Sequence, residues 1–247
     1  VAMTYDFFKK SIECLERAVV EDSQYAEAWQ YYAVALSWGY SIYEAFDKSI
    51  LPKALQAAQK AIALDSNYAM AYRTKAEVEY YLGNFDQMIK DGEKAISLAP
   101  NNASVIAGVS YITGLSGWGC HSSDELKKKY DIDDKACYRL KRGNELGNLS
   151  GKLDPLNSLP WDNFGRVPLY QDSQNWEKVL EVMEDFPVPG LWWWNHYMGT
   201  ANNGLGNEEK AQAHFDKISE ILGDNTLAKM KEGMKRWHEM TVYEEMM

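Results

Sequence analysis

Residues 64–106 read LDSNYAMAYRTKAEVEYYLGNFDQMIKDGEKAISLAPNNASVI, and this stretch decides the fold. Two amphipathic runs flank Leu82-Gly83-Asn84, and Pro100 follows the second run. Glycine reaches the left-handed conformation in which many helices end, so Gly83 marks a turn between two helices. Proline cannot sit in a helix interior, so Pro100, and Pro155 further on, mark breaks between units. The opening phrase of the stretch recurs along the chain. EDSQYAEAW (21–29), LDSNYAMAY (64–72), LAPNNASVI (98–106) and LDPLNSLPW (153–161) align. From the second copy to the third the shift is 34 residues, which carries Leu64 to Leu98, Ala61 to Ala95 and Ala54 to Met88. The other two shifts are 43 and 55, so insertions of 9 and 21 residues interrupt the period.

A 34-residue period with two amphipathic helices per unit resembles the tetratricopeptide repeat family. In Tyr72–Pro100 the family's first-helix aromatic is Tyr72 and its small partner is Ala76. Leu82-Gly83 forms the turn and Asn84-Phe85 follows, Ala95 is the small residue of the second helix, and Pro100 closes the unit. Met88 and Gly92 depart from the pattern, which makes the repeat a divergent one. The resemblance implies an all-α fold, an α-α superhelix: a right-handed solenoid of antiparallel helix pairs. Its physics is direct. Small residues such as Ala33, Ala76 and Ala95 let paired helices approach, and large ones such as Trp29 and Tyr72 fill the adjacent gaps.

Extended along the chain, this register predicts one helical repeat domain over 1–247. Residues 4–21 form an orphan second helix, and 25–64, 68–98, 102–154, 158–186 and 190–222 form repeats. A helix over 225–245 caps the array. Within the repeats the helices pair as 25–38 with 50–64, 68–82 with 85–98, 102–115 with 133–152, 158–171 with 174–186, and 190–204 with 207–222. The loops 39–49 and 116–132 hold the extra residues, and insertions in solenoids tend to share one face. The orphan half-repeat and the valine at position 1 lead to the expectation that the chain is a segment of something longer. Gly143, Gly147 and Gly151 recur every four residues within 133–152. Such a stripe either admits a close helix contact or frays the helix, since each glycine costs about 1 kcal/mol relative to alanine.

The formal net charge of −10 argues against a nucleic-acid partner, which a basic stripe would have to hold. No apolar run approaches the roughly 20 residues that a membrane span needs. The start, Val1-Ala2-Met3-Thr4-Tyr5-Asp6, lacks the basic flank and apolar stretch of a signal peptide. Cys14, Cys120 and Cys137 are odd in number and scattered, which reads as small buried thiols in a reducing compartment. The expectation is therefore a cytoplasmic protein.

No catalytic constellation emerges. Cys120-His121 has no second ligand at metal spacing, and His196, His214 and His238 lie far off. Asp131, Asp133 and Asp134 lack the glycine and terminal glutamate of a calcium loop and suit a helix N-terminus. The glycine-rich stretches 114–119 and 199–206 do not match a phosphate-binding loop. No enzyme activity, cofactor or metal is expected within this chain.

The tetratricopeptide resemblance implies instead a binding face lined by the first helix of each unit. Carried over by register, it gives Gln30, Val34 and Trp38, then Arg73, Glu77, Tyr80 and Tyr81. Later units supply Ala107 and Tyr111, then Asp162, Arg166 and Tyr170, and finally Trp193, His196 and Asn203. Aromatic and arginine side chains anchor many protein interfaces, though some of these residues equally suit the filling of a tight superhelix. The Lys/Asn clamp by which chaperone-binding members hold a C-terminal carboxylate is absent at the matching positions. Trp192-Trp193-Trp194 project about 100° apart on a helix, so they cannot all face one core. At least one should meet a neighbouring helix, a partner or a second copy of the chain.

The later units, LDPLNSLPWDNFGRVPLYQDSQNWEKVLEVMEDFP (153–187) and WWWNHYMGTANNGLGNEEKAQAHFDKI (192–218), narrow the resemblance. They are similar to repeat regions that follow cyclase or DNA-binding domains in bacterial signalling proteins, class III adenylate cyclases among them. The implied function is a protein- or peptide-binding scaffold or regulatory module within a larger signalling protein. The alternative is the regulatory region of a multidomain adenylate cyclase or transcriptional regulator whose chemistry lies outside this chain. The expected partner is a protein or peptide, and a homodimer is compatible with the sequence.

Overall fold

The structure is a computed structural model that describes residues 5–42, 45–155, 167–185 and 187–238, with the side chains of 5–8 and 172 set aside. Among the described residues the chain is all-α, with no strand and thirteen α-helices. Contacts divide it into two compact units, Val1–Val105 and Ile106–Met247.

The N-terminal unit holds α1 (Tyr5–Glu21), α2 (Ala26–Ser41), α3 (Leu51–Leu64), α4 (Ala69–Leu82) and α5 (Phe85–Leu98). Short connections force consecutive helices into antiparallel hairpins. The turn between α4 and α5 shows why: Gly83 takes φ 88°, and the next residue, Asn84, precedes α5. Lys75 of α4 pairs with Asp91 of α5, and Asn84 Nδ2 donates to Glu79 Oε2 at 2.7 Å, so the hairpin is clipped at two levels. Both hairpins are built on alanine. Ala33, Ala54, Ala58, Ala61, Ala71, Ala76 and Ala95 are all fully buried, which lets backbones approach closely without a void. Glu16 of α1 accepts from Tyr32 Oη (2.6 Å) on α2 and from Lys53 Nζ (2.9 Å) on α3, tying three helices together. α2 runs three residues beyond the expected 38, and a 3₁₀ turn at Lys48–Ile50 leads into α3.

The C-terminal unit contains most of α6 (Ala103–Leu115), then α7 (Asp124–Lys129), α8 (Ala136–Leu153), α9 (Val167–Asp172) and α10 (Trp176–Glu184). It closes with α11 (Trp192–Gly204), α12 (Glu208–Leu222) and α13 (Thr226–Arg236). The insertion before α8 is an organised element. Ser123 caps α7, accepting from Leu126 N, and Cys120 is bonded to Cys137. That disulfide corrects the reading of the cysteines as reduced thiols: only Cys14 is free, and it is exposed. The insertion folds back so that the two Cα atoms lie 4.8 Å apart, a proximity that a separation of 17 residues does not announce. Arg139, 2% exposed, clasps both ends of the same loop. Its Nε and Nη2 donate to Ser116 O, and its Nη1 to both carboxylate oxygens of Asp133 at 2.8 and 2.9 Å.

The glycine stripe of α8 divides by position. A Cβ on Gly143 would lie 2.5 Å from Gly114 N, and Ser110 Oγ donates to Gly143 O at 2.8 Å, so α6 and α8 touch backbone to backbone there. At Gly151 nothing lies within 4 Å. The three consecutive tryptophans of α11 are all buried because neighbours on more than one side receive them. Trp192 stacks on Trp237 and Trp193 meets Trp237 edge-on. The indole N–H of Trp194 donates to Met183 O at 3.0 Å, while its ring contacts His214.

Candidate partner-binding surface

In the N-terminal unit α2 and α4, the first helices of successive hairpins, pack side by side. Helical spacing sets Glu27, Tyr31, Val34 and Trp38 along one face of α2 and Arg73, Glu77 and Tyr80 along one face of α4. The seam between the helices is polar. Gln30 Nε2 donates to Thr74 Oγ1 at 2.9 Å, Tyr68 Oη donates to Gln30 Oε1 at 3.3 Å, and Trp38 Nε1 donates to Glu77 Oε1 at 2.8 Å. Arg73 Nη2 stands 3.5 Å from Glu77 Oε2, the long edge of an ion pair.

Glu77 is 2% exposed, and burial raises its pKa above the usual carboxylate range, while Arg73 and the Trp38 N–H pull the other way. Only one of its oxygens is hydrogen-bonded. The Arg73 side chain retains 16% exposure, and its Nε has no hydrogen-bond partner. Trp38 and Arg73 are therefore the half-buried groups that a ligand could reach here, with Glu77 fixing both from beneath. Tyr80 and Tyr81 are buried against each other, with centroids 5.0 Å apart.

The C-terminal unit distributes its share of the expected residues differently. Trp193 and His196 are buried, both in ring contact with Tyr197. Burial lowers the His196 pKa to about 4, so its imidazole is neutral; Thr200 Oγ1 lies 3.3 Å from Nδ1, and Nε2 has no hydrogen-bond partner. Tyr111 and Tyr170 are half-buried and Asn203 is exposed. Asp162 and Arg166 lie outside the described residues. The structure thus joins Trp38, Arg73 and Glu77 into one constellation and sets Trp193 and His196 within an aromatic core.

Sequence reasoning passed over Tyr25, Tyr31 and Tyr68. Tyr25 and Tyr31 are 50% and 52% exposed, large values for aromatic side chains. The signal was present in the repeated Asp-Ser-X-Tyr-Ala of 22–26 and 65–69, which served only to find the period. Among the described residues no group of three or more His, Cys, Asp or Glu side chains could hold a metal ion. No helix among them is long and apolar enough to cross a membrane.

No protein-family model matches the sequence. An alignment over 98 residues, which covers 37% of the chain, is 28% identical to U-box domain-containing protein 70 of Oryza sativa subsp. japonica. It spans 12% of that protein's length. Among solved structures, the crystal structure of YrrB, described as a TPR protein with an unusual peptide-binding site, aligns over 89% of this chain and 99% of its own. The sequence identity is 20% and the TM-score 0.41. The chain itself, by its own helices and turns, is an all-α protein built from helix hairpins.

Proposed function

We propose that the chain is a protein- or peptide-binding scaffold, and that α2 and α4 present its binding face. The observation that carries this reading is the Trp38–Glu77–Arg73 constellation. A buried carboxylate holds a half-buried indole and a half-buried guanidinium side by side, and the guanidinium Nε has no hydrogen-bond partner among the described residues. Tryptophan and arginine are the side chains most enriched among interface anchors, and a preorganised pair loses little entropy on binding.

The finer reading is that the array regulates a larger signalling protein. It is supported by the likeness of residues 153–187 and 192–218 to repeat regions that follow cyclase or DNA-binding domains. The alternative, a regulatory region of an adenylate cyclase or transcriptional regulator, rests on the same likeness. Affinity capture with the wild-type chain, repeated with Trp38→Ala/Arg73→Ala, tests the binding face. A partner retained by the wild type and lost by the folded double variant supports it. Equal retention by both would retire it.

A further inference from the structure

The α2–α4 face of the N-terminal unit continues past Trp38 through Tyr31 and Glu27 to the turns that lead into α2 and α4. The two turns are copies. Asp22 Oδ1 accepts from Gln24 N at 3.0 Å, and Asp65 Oδ1 accepts from Asn67 N at 2.9 Å. Tyr25 and Tyr68 then occupy equivalent N-cap positions with nearly the same backbone angles, and neither side chain caps its helix. At the matching position of the next unit stands Asn102, whose Oδ1 does accept from Val105 N at 3.1 Å. A capping side chain contributes about 1 kcal/mol. Two successive copies thus forgo a bond that the third makes, and place a phenol there instead.

The phenols form a group with carboxylates. Tyr25 Oη donates to Glu27 Oε2 at 2.7 Å, Tyr31 lies one turn beyond Glu27 on α2, and Tyr68 is bonded to Gln30 beside Tyr31. Burial pushes the Tyr68 phenol up to about 12, and the charges of Glu27 and Asp65 together with the neighbouring Tyr31 and Tyr25 add to the rise. Asp22 and Asp65 are exposed and Glu27 is half-buried. None of the three carboxylates makes an ion pair among the described residues. Arg73, further along α4, is committed to Glu77.

We infer that this tyrosine–carboxylate surface, formed by Tyr25, Tyr31 and Tyr68 with Asp22, Glu27 and Asp65, docks an arginine-bearing segment of a partner protein. The inference rests on the reading of the chain as a binding scaffold and names the chemistry of what it holds. Exposed aromatic faces beside carboxylates that lack a cation are complementary to a guanidinium. That group is flat enough to stack on a phenol ring while its N–H fork engages a carboxylate. An ammonium offers the charge without the plane, so lysine fits less well.

The test is a calorimetric titration of the whole chain with a short acetylated arginine peptide and its lysine counterpart, at about 0.15 M salt. The arginine peptide should bind about tenfold more tightly than the lysine peptide. Tyr25→Ala/Tyr31→Ala should cost about tenfold in affinity, and Tyr31→Phe, which keeps the ring, should cost little. Glu208→Gln/Glu209→Gln, removing two negative charges from the start of α12, should change nothing. Equal binding of the two peptides, or an equal loss in the α12 control, would show diffuse attraction to an acidic chain and overturn the inference. So would undiminished binding by Tyr31→Gln, a milder change should the double alanine variant unfold. Failure here leaves the Trp38–Arg73 face intact, because that reading is judged by loss of a captured partner in its own double variant.

Discussion

The two units bury their helices by opposite means. The N-terminal unit packs alanine on alanine, with seven alanines fully buried beside bulky side chains such as Leu36, Leu51, Tyr80 and Tyr81. The C-terminal unit packs aromatic rings and helix backbone into space cleared by glycine. A Cβ on Gly204 would lie 2.2 Å from the Trp176 ring, one on Gly199 would lie 2.6 Å from Phe215, and one on Gly117 would lie 2.4 Å from the Leu140 backbone. Uniform small-residue packing repeats with the helix register and leaves a period in the sequence. Large-into-small packing is solved contact by contact, and it leaves composition but no period.

The strongest way to break this comparison is Trp194→Ala. It removes a buried indole and its bond to Met183 O, and should destabilise the C-terminal unit by about 4 kcal/mol. Hydrogen exchange resolved by segment should leave α2–α5 unchanged; an equal loss in both units would erase the distinction. Next comes reduction of the Cys120–Cys137 bond. Opening a loop of this length should cost about 3 kcal/mol in the same unit. Chemical denaturation with and without a thiol reductant, read at Trp fluorescence, reports it.

A pH titration sharpens the contrast further. The folded pKa of His196 is depressed, so its contribution to stability is present above the unfolded value near 6.5 and is lost as pH falls toward about 4. The loss amounts to about 3 kcal/mol. His196→Gln should flatten this part of the stability curve. Glu77 works in the opposite sense. Its folded pKa is raised, so the wild type should lose stability relative to Glu77→Gln as pH rises above the unfolded carboxylate value. A smaller pair of changes tests the glycine stripe of α8. Gly143→Ala should cost about 2 kcal/mol because the new methyl meets the α6 backbone. Gly151→Ala, in open space, should gain up to about 1 kcal/mol. Equal effects at the two positions, measured by urea denaturation, would show that the close approach at Gly143 is absent.

Much of the helical framework could be read because its determinants are local. Gly83 in a left-handed turn and the recurrent Asp-Ser-X-Tyr-Ala phrase each act within a few residues of themselves. Trp38 and Arg73 were legible as candidates through register alone. Their relation to Glu77 was not, since a hydrogen bond across 39 residues depends on how two helices lie against each other. The same holds for the disulfide. Cys120 and Cys137 look like unrelated thiols until the insertion folds back over the start of α8 under Arg139.

The sequence by itself determined the all-α class and the helix-pair period, through turn chemistry and the spacing of small residues. Only the tertiary structure decided which side chains within the same register reach the surface. Tyr31 and Trp38 emerge, while Tyr80, Tyr81, Trp193 and His196 are enclosed. The physical reason is that a helix presents the same face whether that face meets solvent or another helix. Exposure belongs to the packing partner, and no local pattern encodes it.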